Sequence, residues 1–232
     1  MKHALGGEKI GILGGTFNPI HFGHLSIARS IQSLFSLSQV HFVVATMPPH
    51  KRPEDLIPFT HRYAMVSLAV AEQPLFIPSL IELEPKASPY TIDTMNKFAR
   101  RSGRNGDRLF FIAGGDSLLE VESWRDSETL LSSYNFVFVV RPGTKPMVPR
   151  DVLPGETAAR VLDLTGLPRP QMRRRIIGTG EGYKRIYIVD ADAPDISATQ
   201  IRNRVSSKKS IRRMVPRPVS EYIQKLHLYG GR

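Results

Sequence analysis

Short apolar runs, most of which end in a glycine or proline turn, constrain the fold of this chain most. The runs are residues 9–13 (KIGIL), 40–45 (VHFVVA), 109–113 (LFFIA), 135–140 (NFVFVV) and 185–189 (RIYIV). Each has the length and continuous apolarity of a buried strand. Segments with helical spacing of apolar residues separate most of these runs. Strands that alternate with helices are typical of a parallel sheet.

Helical spacing marks residues 24–35, 60–72, 91–101, 127–132, 199–206 and 217–227, whereas residues 75–84 are predicted to be extended. Between residues 142 and 184 the pattern weakens, because six of the 18 prolines and six of the 18 glycines fall there. We therefore predict an α/β fold: a doubly wound, mostly parallel, Rossmann-like sheet with helices on both faces. It forms a single domain over residues 1–232, with a core at about 8–206 and a basic C-terminal helical segment at 207–232.

The charge balance limits the classes of partner. The net charge is +11, and residues 202–232 alone hold nine Lys or Arg and one Glu. Because no nucleic-acid motif accompanies this charge, we favour a solvated face that attracts anionic nucleotides over a nucleic-acid surface. The chain has no cysteine, which excludes disulfides and thiolate metal sites. Its N-terminus has no apolar run of signal or membrane length. We expect a cytoplasmic protein with no membrane partner, and a homo-oligomer is left open.

A glycine-rich loop follows the first strand and leads into a helix. Gly14 and Gly15 allow a ligand to approach the backbone closely, and Gly23 allows the helix start to pack tightly. His21 and His24 are three residues apart, so they share one side where the loop joins the helix. Two imidazoles beside a helix N-terminus suit a polyphosphate. A metal site would need a third ligand and an open coordination position.

A second loop follows the last predicted strand and starts another helix. In the segment ISATQIR, Ser197 or Thr199 could cap the helix, or their hydroxyls could hold phosphate oxygens. Arg202 lies one turn into the helix and could reach the same phosphates. The segment by itself leaves the capping and phosphate-binding interpretations open.

Taken together, the two loops resemble the motifs of the HxGH nucleotidyltransferase superfamily. The resemblance implies that His21, His24 and Arg202 are catalytic and stabilise the transferred phosphoryl group. The family pattern is ISSTxIR-like, so Ala198 lacks one hydroxyl, which puts one phosphate contact in doubt. The ATP-binding residues implied are Gly14, Gly15, Thr16, Phe17, His21, His24, Asp116, Ile196, Ser197, Thr199 and Arg202.

Further segments resemble one branch of that superfamily. Residues 47–51 (MPPHK), 88–94 (SPYTIDT), 112–116 (IAGGD, with Trp124 after it) and 140–143 (VRPG) together resemble bacterial nicotinate-mononucleotide adenylyltransferase. Phosphopantetheine adenylyltransferases share only the first and last motifs. The resemblance implies a mononucleotide site made by Lys51, Thr91, Trp124 and Arg141, although Trp124 could also be a core residue and Lys51 a solvated charge.

The reaction implied is transfer of AMP from ATP to nicotinate mononucleotide, which gives deamido-NAD and pyrophosphate in NAD biosynthesis. Mg²⁺ would arrive with ATP, so no protein metal site is expected. The alternatives are a sister enzyme that uses nicotinamide mononucleotide, phosphopantetheine or FMN, and a nucleic-acid-binding protein built on an inactive transferase fold. Many family members have Asp where Asn18 stands, and we expect that change to have little effect.

Overall fold

The computed structural model describes residues 8–47, 52–84, 88–103, 106–140, 153, 155–179 and 183–230. Its strands are β1 (Ile10–Gly15), β2 (Gln39–Val44), β3 (Phe76–Ser79), β4 (Leu109–Gly114), β5 (Asn135–Val140), β6 (Val161–Asp163) and β7 (Ile186–Asp190). Its α-helices are α1 (Phe22–Phe35), α2 (Phe59–Val70), α3 (Thr91–Ser102), α4 (Asp116–Glu120), α5 (Ser127–Ser133), α6 (Gly155–Ala158), α7 (Arg169–Gly178), α8 (Ala198–Ser206) and α9 (Arg217–Lys225).

The seven strands form one sheet in the order β3-β2-β1-β4-β5-β7-β6, and all six neighbouring pairs are parallel. β1 is an inner strand, and its Ile10 is in register with Gln39 on one side and Leu109 on the other. The chain first winds outward from β1 to β3 and then crosses back to β4. The order therefore reverses between β1 and β4, and in such sheets a ligand crevice opens at that point. The predicted doubly wound α/β sheet is confirmed.

Strand side chains alternate between two cores, one on each face of the sheet. Along β4, Phe110 and Ile112 join the core that contains α1, α2, α7, α8 and α9. Phe111 and Ala113, which point the other way, join the core that contains α3, α4 and α5. This period of two along each strand, with apolar residues at both phases, explains why the strands appear in the sequence as continuous apolar runs.

Two segments differ from the sequence-based expectation. The extended region predicted for residues 75–84 is only partly a strand, because a 3₁₀ turn at Ile81–Leu83 follows β3. The Ser79 hydroxyl accepts a hydrogen bond from the backbone N–H of Ile81 at 3.3 Å, which favours the turn. Within residues 142–184, where the sequence pattern weakens and no helix or strand was predicted, the structure contains α6, β6 and the ten-residue helix α7.

The C-terminal segment packs against the body of the fold. Helix α9 buries Val219 and Ile223 in the core that contains α1 and α2, the larger of the two, and lies beside α2. The His61 ring of α2 is hydrogen-bonded through Nδ1 to the Tyr222 hydroxyl of α9 at 2.9 Å. Its basic residues, by contrast, lie mostly in exposed positions. Among the described helices, none combines the length and the apolarity that a membrane span requires.

Candidate active site

The loop at residues 16–21, between β1 and α1, forms the centre of the site and is called the first loop. The carbonyl of Gly15 accepts a hydrogen bond from Ala45 at 2.9 Å, which ties the end of β1 to the end of β2. Phe17 has a left-handed backbone (φ 48°) and is only 2% exposed. A Cβ on Gly15 would lie 2.9 Å from the Phe17 ring, so the tight turn requires glycine there. The buried ring of Phe17 therefore holds the first loop against the end of β1.

His21 and His24 meet face to face at the start of α1. Their ring centroids are 3.7 Å apart with an interplanar angle of 28°. The backbone N–H of His21 donates to His24 Nδ1 at 3.3 Å, so the ring hydrogen of a neutral His24 is carried by Nε2. A Cβ at Gly23 would lie 2.9 Å from His21 Nδ1. Glycine at this position therefore leaves room for the His21 ring beside the helix N-terminus.

The loop before α8 approaches the first loop from the other side. Ser197 caps α8, since its hydroxyl accepts from Gln200 N at 3.1 Å and its own N–H donates to Gln200 Oε1 at 3.0 Å. Arg202 donates from Nη1 to the carbonyl of Asn18 at 2.9 Å and from Nη2 to the Thr199 hydroxyl at 3.1 Å. The structure thus shows Ser197 as the cap and directs Thr199 and Arg202 towards the first loop.

The two motif loops are in direct contact. The carbonyl of Ile196 lies 3.6 Å from the position of a Cβ on Gly23. The N–H of Phe22, the first residue of α1, donates to the carbonyl of Met214 at 2.9 Å. The N-termini of α1 and α8 therefore lie close together beside the carboxyl end of β1, where sheets of this kind place the ligand crevice. Unpaired helix N–H groups carry partial positive charge and favour anions.

Asp116 stands across the strand-order reversal from these loops. It is the first residue of α4, directly after β4, which pairs with β1, and its side chain is exposed. The turn that brings it there is tight. A Cβ on Gly115 would lie 2.6 Å from a methyl group of Val140, at the end of the adjacent strand. An exposed carboxylate at the rim of the crevice is free to accept hydrogen bonds from hydroxyl groups of a ligand.

The residues predicted to hold the pyridine end also come together. Trp124 is half-buried and packs edge-on against Phe111 of β4, with ring centroids 5.9 Å apart at 88°. Its neighbour Arg125 lies over the ring of Tyr90 at 4.7 Å. Thr91 follows Tyr90 and begins α3. The Arg125–Tyr90 contact, which sequence reasoning missed, brings the segment that carries Trp124 next to the segment that carries Thr91.

A buried arginine supports the first loop from beneath. Arg62 of α2 is only 1% exposed. Its guanidinium donates to four backbone carbonyls, those of Thr16 (2.8 Å), Ala45 (2.7 Å), Thr46 (3.1 Å) and Ile57 (3.2 Å). Burial lowers the pKa of Arg62, although a guanidinium remains charged at any physiological pH. Sequence reasoning missed this residue, because an arginine within a helix is ordinarily exposed.

Glu82 binds Thr46, just after the end of β2, as Arg62 does. Its Oε2 accepts the backbone N–H of Thr46 at 2.9 Å and the Thr46 hydroxyl at 3.4 Å. Burial raises the pKa of Glu82, and the hydrogen bonds from Thr46 partly oppose that rise. Both polar groups of the Thr46 backbone are thus bound by ionisable side chains, the buried Arg62 and the half-buried Glu82. This arrangement fixes the chain directly before residues 48–51.

Two predicted mononucleotide-binding residues, Lys51 and Arg141, lie outside the described residues. A cavity of about 200 Å³ lies away from the crevice, at the amino-terminal edge of the sheet, with Lys9, Asp107 and Asn135 among its lining residues. None of the predicted site residues lines it. Within the described ranges, no three His, Asp or Glu side chains cluster so that they could hold a metal ion.

The chain is similar in sequence to known proteins over nearly its whole length. The cytidylyltransferase-like family model matches residues 12–204. A probable nicotinate-nucleotide adenylyltransferase of Geobacter metallireducens is 40% identical over 223 residues, which cover 95% of this chain and 98% of that protein. A protein of the same description from Thermus thermophilus is 38% identical, with 95% and 99% covered.

Solved structures are similar in fold. A nicotinic acid mononucleotide adenylyltransferase of Plasmodium falciparum, complexed with NaAD, superposes with a TM-score of 0.68. Its sequence is 17% identical, and the match covers 96% of this chain and 98% of that one. A putative nicotinate-nucleotide adenylyltransferase from Vibrio parahaemolyticus gives a TM-score of 0.59, with 96% of each chain covered. These structures share the sheet architecture described above.

Proposed function

The chain belongs to the cytidylyltransferase-like family and, within it, to the nicotinate-nucleotide adenylyltransferases, and we propose from this premise how its crevice performs their reaction. The enzyme transfers the AMP part of ATP to nicotinate mononucleotide, and the products are deamido-NAD and pyrophosphate. The observation that carries the assignment in this structure is the meeting of the two motif loops at the carboxyl end of β1.

The chemistry requires positioning and charge stabilisation. An oxygen of the mononucleotide 5′-phosphate forms a bond to the α-phosphorus of ATP in line with the bond that breaks. The oxygen that bridges the α- and β-phosphorus leaves with the electron pair, as pyrophosphate. A phosphate monoester has a second pKa of about 6, so it is already an anionic nucleophile at neutral pH. The reaction therefore needs no general base and no covalent enzyme intermediate.

The first loop and α8 carry the groups suited to the ATP phosphates. His24 Nε2–H is a donor beside the N-terminus of α1, and the adjacent His21 ring adds a second imidazole to the same spot. Arg202 contributes a permanent positive charge from the opposite wall. The imidazoles, the guanidinium and the helix N–H groups stabilise charge that develops on the leaving pyrophosphate. Asp116 would accept hydrogen bonds from the ATP ribose.

Magnesium belongs with the ATP substrate in this proposal. Mg²⁺ usually keeps several waters and is bound through substrate phosphates together with one or two carboxylates. The described residues of the crevice fit that use, because they offer donors and positive charge to phosphate oxygens and need no dedicated metal cage. When bound, the ion neutralises part of the charge on the triphosphate.

The acceptor end is the half of the crevice near Trp124 and Thr91. The exposed part of the Trp124 ring can stack on a pyridine ring while Phe111 fixes its other edge. The α3 N-terminus at Thr91 offers unpaired N–H groups to a carboxylate, which favours the acid form of the mononucleotide over the amide. Lys51 and Arg141 would complete the phosphate contacts of the mononucleotide.

A pyrophosphate-release assay with ATP and Mg²⁺ tests the function. Nicotinate mononucleotide and nicotinamide mononucleotide are offered in parallel to the wild-type protein. We expect turnover that is faster with the acid form. We expect His24→Ala to lower kcat by about 10²- to 10³-fold, the usual cost of losing one donor to a developing oxyanion.

His41→Ala is the matched control, since His41 lies within β2 against Phe98 and away from the first loop. It should leave kcat near that of the wild type. Preference for the amide would correct the substrate and keep the mechanism. The absence of turnover with both pyridine nucleotides would contradict the assignment, and phosphopantetheine, FMN and nucleic acid would then be tested in the same format.

A further inference from the structure

Asn18 connects the first loop to three other parts of the chain. It is 3% exposed. Its side-chain Nδ2 donates to the carbonyl of Asp55 at 3.1 Å, and its Oδ1 accepts the hydroxyl of Tyr229 at 2.8 Å. Its backbone carbonyl accepts Arg202 Nη1 at 2.9 Å. Every polar group of the Asn18 side chain and its carbonyl therefore has a partner, and each partner comes from a different segment.

The contact to Arg202 connects Asn18 and its partners, which we call the Asn18 junction, to the proposed ATP-binding groups. The guanidinium donates two hydrogen bonds, one to the Asn18 carbonyl and one to the Thr199 hydroxyl. Thr199 lies on the same helix and moves with Arg202. The Asn18 carbonyl is thus the contact that fixes the arginine relative to the first loop and its histidines. A shift of Asn18 would shift the cationic head that faces the ATP phosphates.

The turn at residues 226–230, which we call the C-terminal turn, delivers Tyr229 to this junction. His227 and Tyr229 both have left-handed backbones, with φ of 50° and 62°. Such values are uncommon for residues other than glycine and persist only where surrounding contacts impose them. Leu228 and Tyr229 pack against the larger core. Burial raises the pKa of Tyr229, so its hydroxyl stays protonated and donates to Asn18.

We propose that Tyr229 is a positioning residue for ATP binding, which acts through Asn18 to hold the first loop and Arg202 in their catalytic arrangement. The C-terminal turn is then a working part of the active site, 211 residues from the loop that it supports. This proposal rests on the proposed function for the role of Arg202. It assigns Tyr229 no contact with substrate.

The test uses Tyr229→Phe, which removes one hydroxyl and keeps the buried ring. We expect kcat/KM for ATP to fall by about 2- to 10-fold, the effect of one lost neutral hydrogen bond. KM for nicotinate mononucleotide should change by less than about twofold, because the pyridine end lies on other elements. Calorimetric binding of adenosine α,β-methylene triphosphate should weaken by the same factor as kcat/KM for ATP. That binding measurement needs no turnover, so it separates failure of this proposal from failure of the proposed reaction.

Tyr134→Phe is a matched control. Its hydroxyl also donates to an asparagine side chain, Asn96 Oδ1 at 2.6 Å, but it lies at the amino end of β5. Both variants should lower the unfolding midpoint to a similar extent. Only Tyr229→Phe should alter ATP binding. If Tyr229→Phe lowers the midpoint and leaves ATP binding and kcat/KM unchanged, its role is structural and the proposal is overturned.

A double-mutant cycle tests the route through Asn18. If Tyr229 acts through that residue, Asn18→Ala combined with Tyr229→Phe should be no worse in kcat/KM for ATP than Asn18→Ala alone. If the effects of the two single variants multiply instead, the route is wrong. Should Asn18→Ala fail to fold, Asn18→Ser carries the same cycle with a smaller loss of buried polar contacts.

Discussion

Replacing Arg62 by methionine should destabilise the protein and weaken the capture of both substrates. The change keeps a long side chain in the helix and removes the donors to four carbonyls. Two of these carbonyls, at Thr16 and Thr46, belong to the loops assigned to ATP and to the mononucleotide. Both loops should loosen, so kcat/KM should fall for both substrates and not for one alone.

The magnitude follows from opposing contributions. Hydrogen bonds from a charged donor contribute about 1.5–3 kcal/mol each, so four would give roughly 6–12 kcal/mol if none were compensated. The methionine variant no longer has to bury a guanidinium, a penalty of several kcal/mol. Water can also reach some of the released carbonyls. We expect a net loss in the free energy of unfolding of about 3–5 kcal/mol, which corresponds to a fall in Tm of roughly 10 °C for a chain of this size.

Urea denaturation and a thermal scan measure the loss, with Arg160→Met as the control. The side chain of Arg160 donates through Nε and Nη2 to a single carbonyl, that of Lys184, at 3.1 and 3.0 Å. Arg160 is half-buried and serves one carbonyl where Arg62 serves four, so its replacement should cost about 1.5–3 kcal/mol and leave the kinetics unchanged. Arg62→Lys keeps the charge but loses the planar guanidinium with its several N–H donors. Its free energy of unfolding should therefore lie between those of the wild type and Arg62→Met. A loss below about 1 kcal/mol in Arg62→Met would refute the reasoning.

Two further predictions concern the substrate ends of the crevice. Trp124→Ala should raise KM for nicotinate mononucleotide by about 10-fold, the range of a lost stacking contact, and leave KM for ATP unchanged. Trp124→Phe should have a smaller effect. Equal effects on both substrates would indicate that Trp124 is only a core residue. The double variant Arg212→Gln/Arg213→Gln tests electrostatic attraction of the anionic substrates, because these exposed charges directly precede the Met214 contact to α1. It should lower kcat/KM by about 2- to 5-fold at low ionic strength, and the difference should vanish at about 1 M salt. Lys225→Gln on α9 is the control, because it removes an exposed charge from another part of the surface. An effect of the double variant that persists at high salt would contradict electrostatic attraction of the substrates.

The sheet could be predicted from sequence because a parallel strand covered on both faces is apolar at nearly every position. The runs before Gly114 and Arg141 belong to this class. The same reasoning failed for β6 and α7. β6 has only three residues, too few for a pattern, and α7 (RPQMRRRIIG) contains four arginines in ten residues. Its buried stripe consists of Met172 and Ile176 alone, which periodicity cannot distinguish from chance.

The candidate site was predictable where its residues are close in sequence. His21 and His24 share a side because three residues make nearly one helical turn, and Arg202 follows Thr199 for the same reason. The supporting residues Arg62 and Tyr229 escaped prediction. Arg62 is 46 residues from Thr16 and Tyr229 is 211 residues from Asn18, so no local pattern signals either contact with the first loop. Only the tertiary fold brings such donors to the backbone of the first loop.

Asn18 shows how the departure from the family pattern fits this chain. The sequence suggested that its amide, where many relatives have a carboxylate, was of little consequence. In the structure the amide nitrogen donates to the Asp55 carbonyl while the amide oxygen accepts from Tyr229. A carboxylate has no hydrogen to donate, so it would set an anionic oxygen against a carbonyl oxygen at that contact. It would also place negative charge beside Arg202 in a site that must gather two anions. The neutral amide avoids both costs, and the local hydrogen bonds of this chain therefore favour asparagine at position 18.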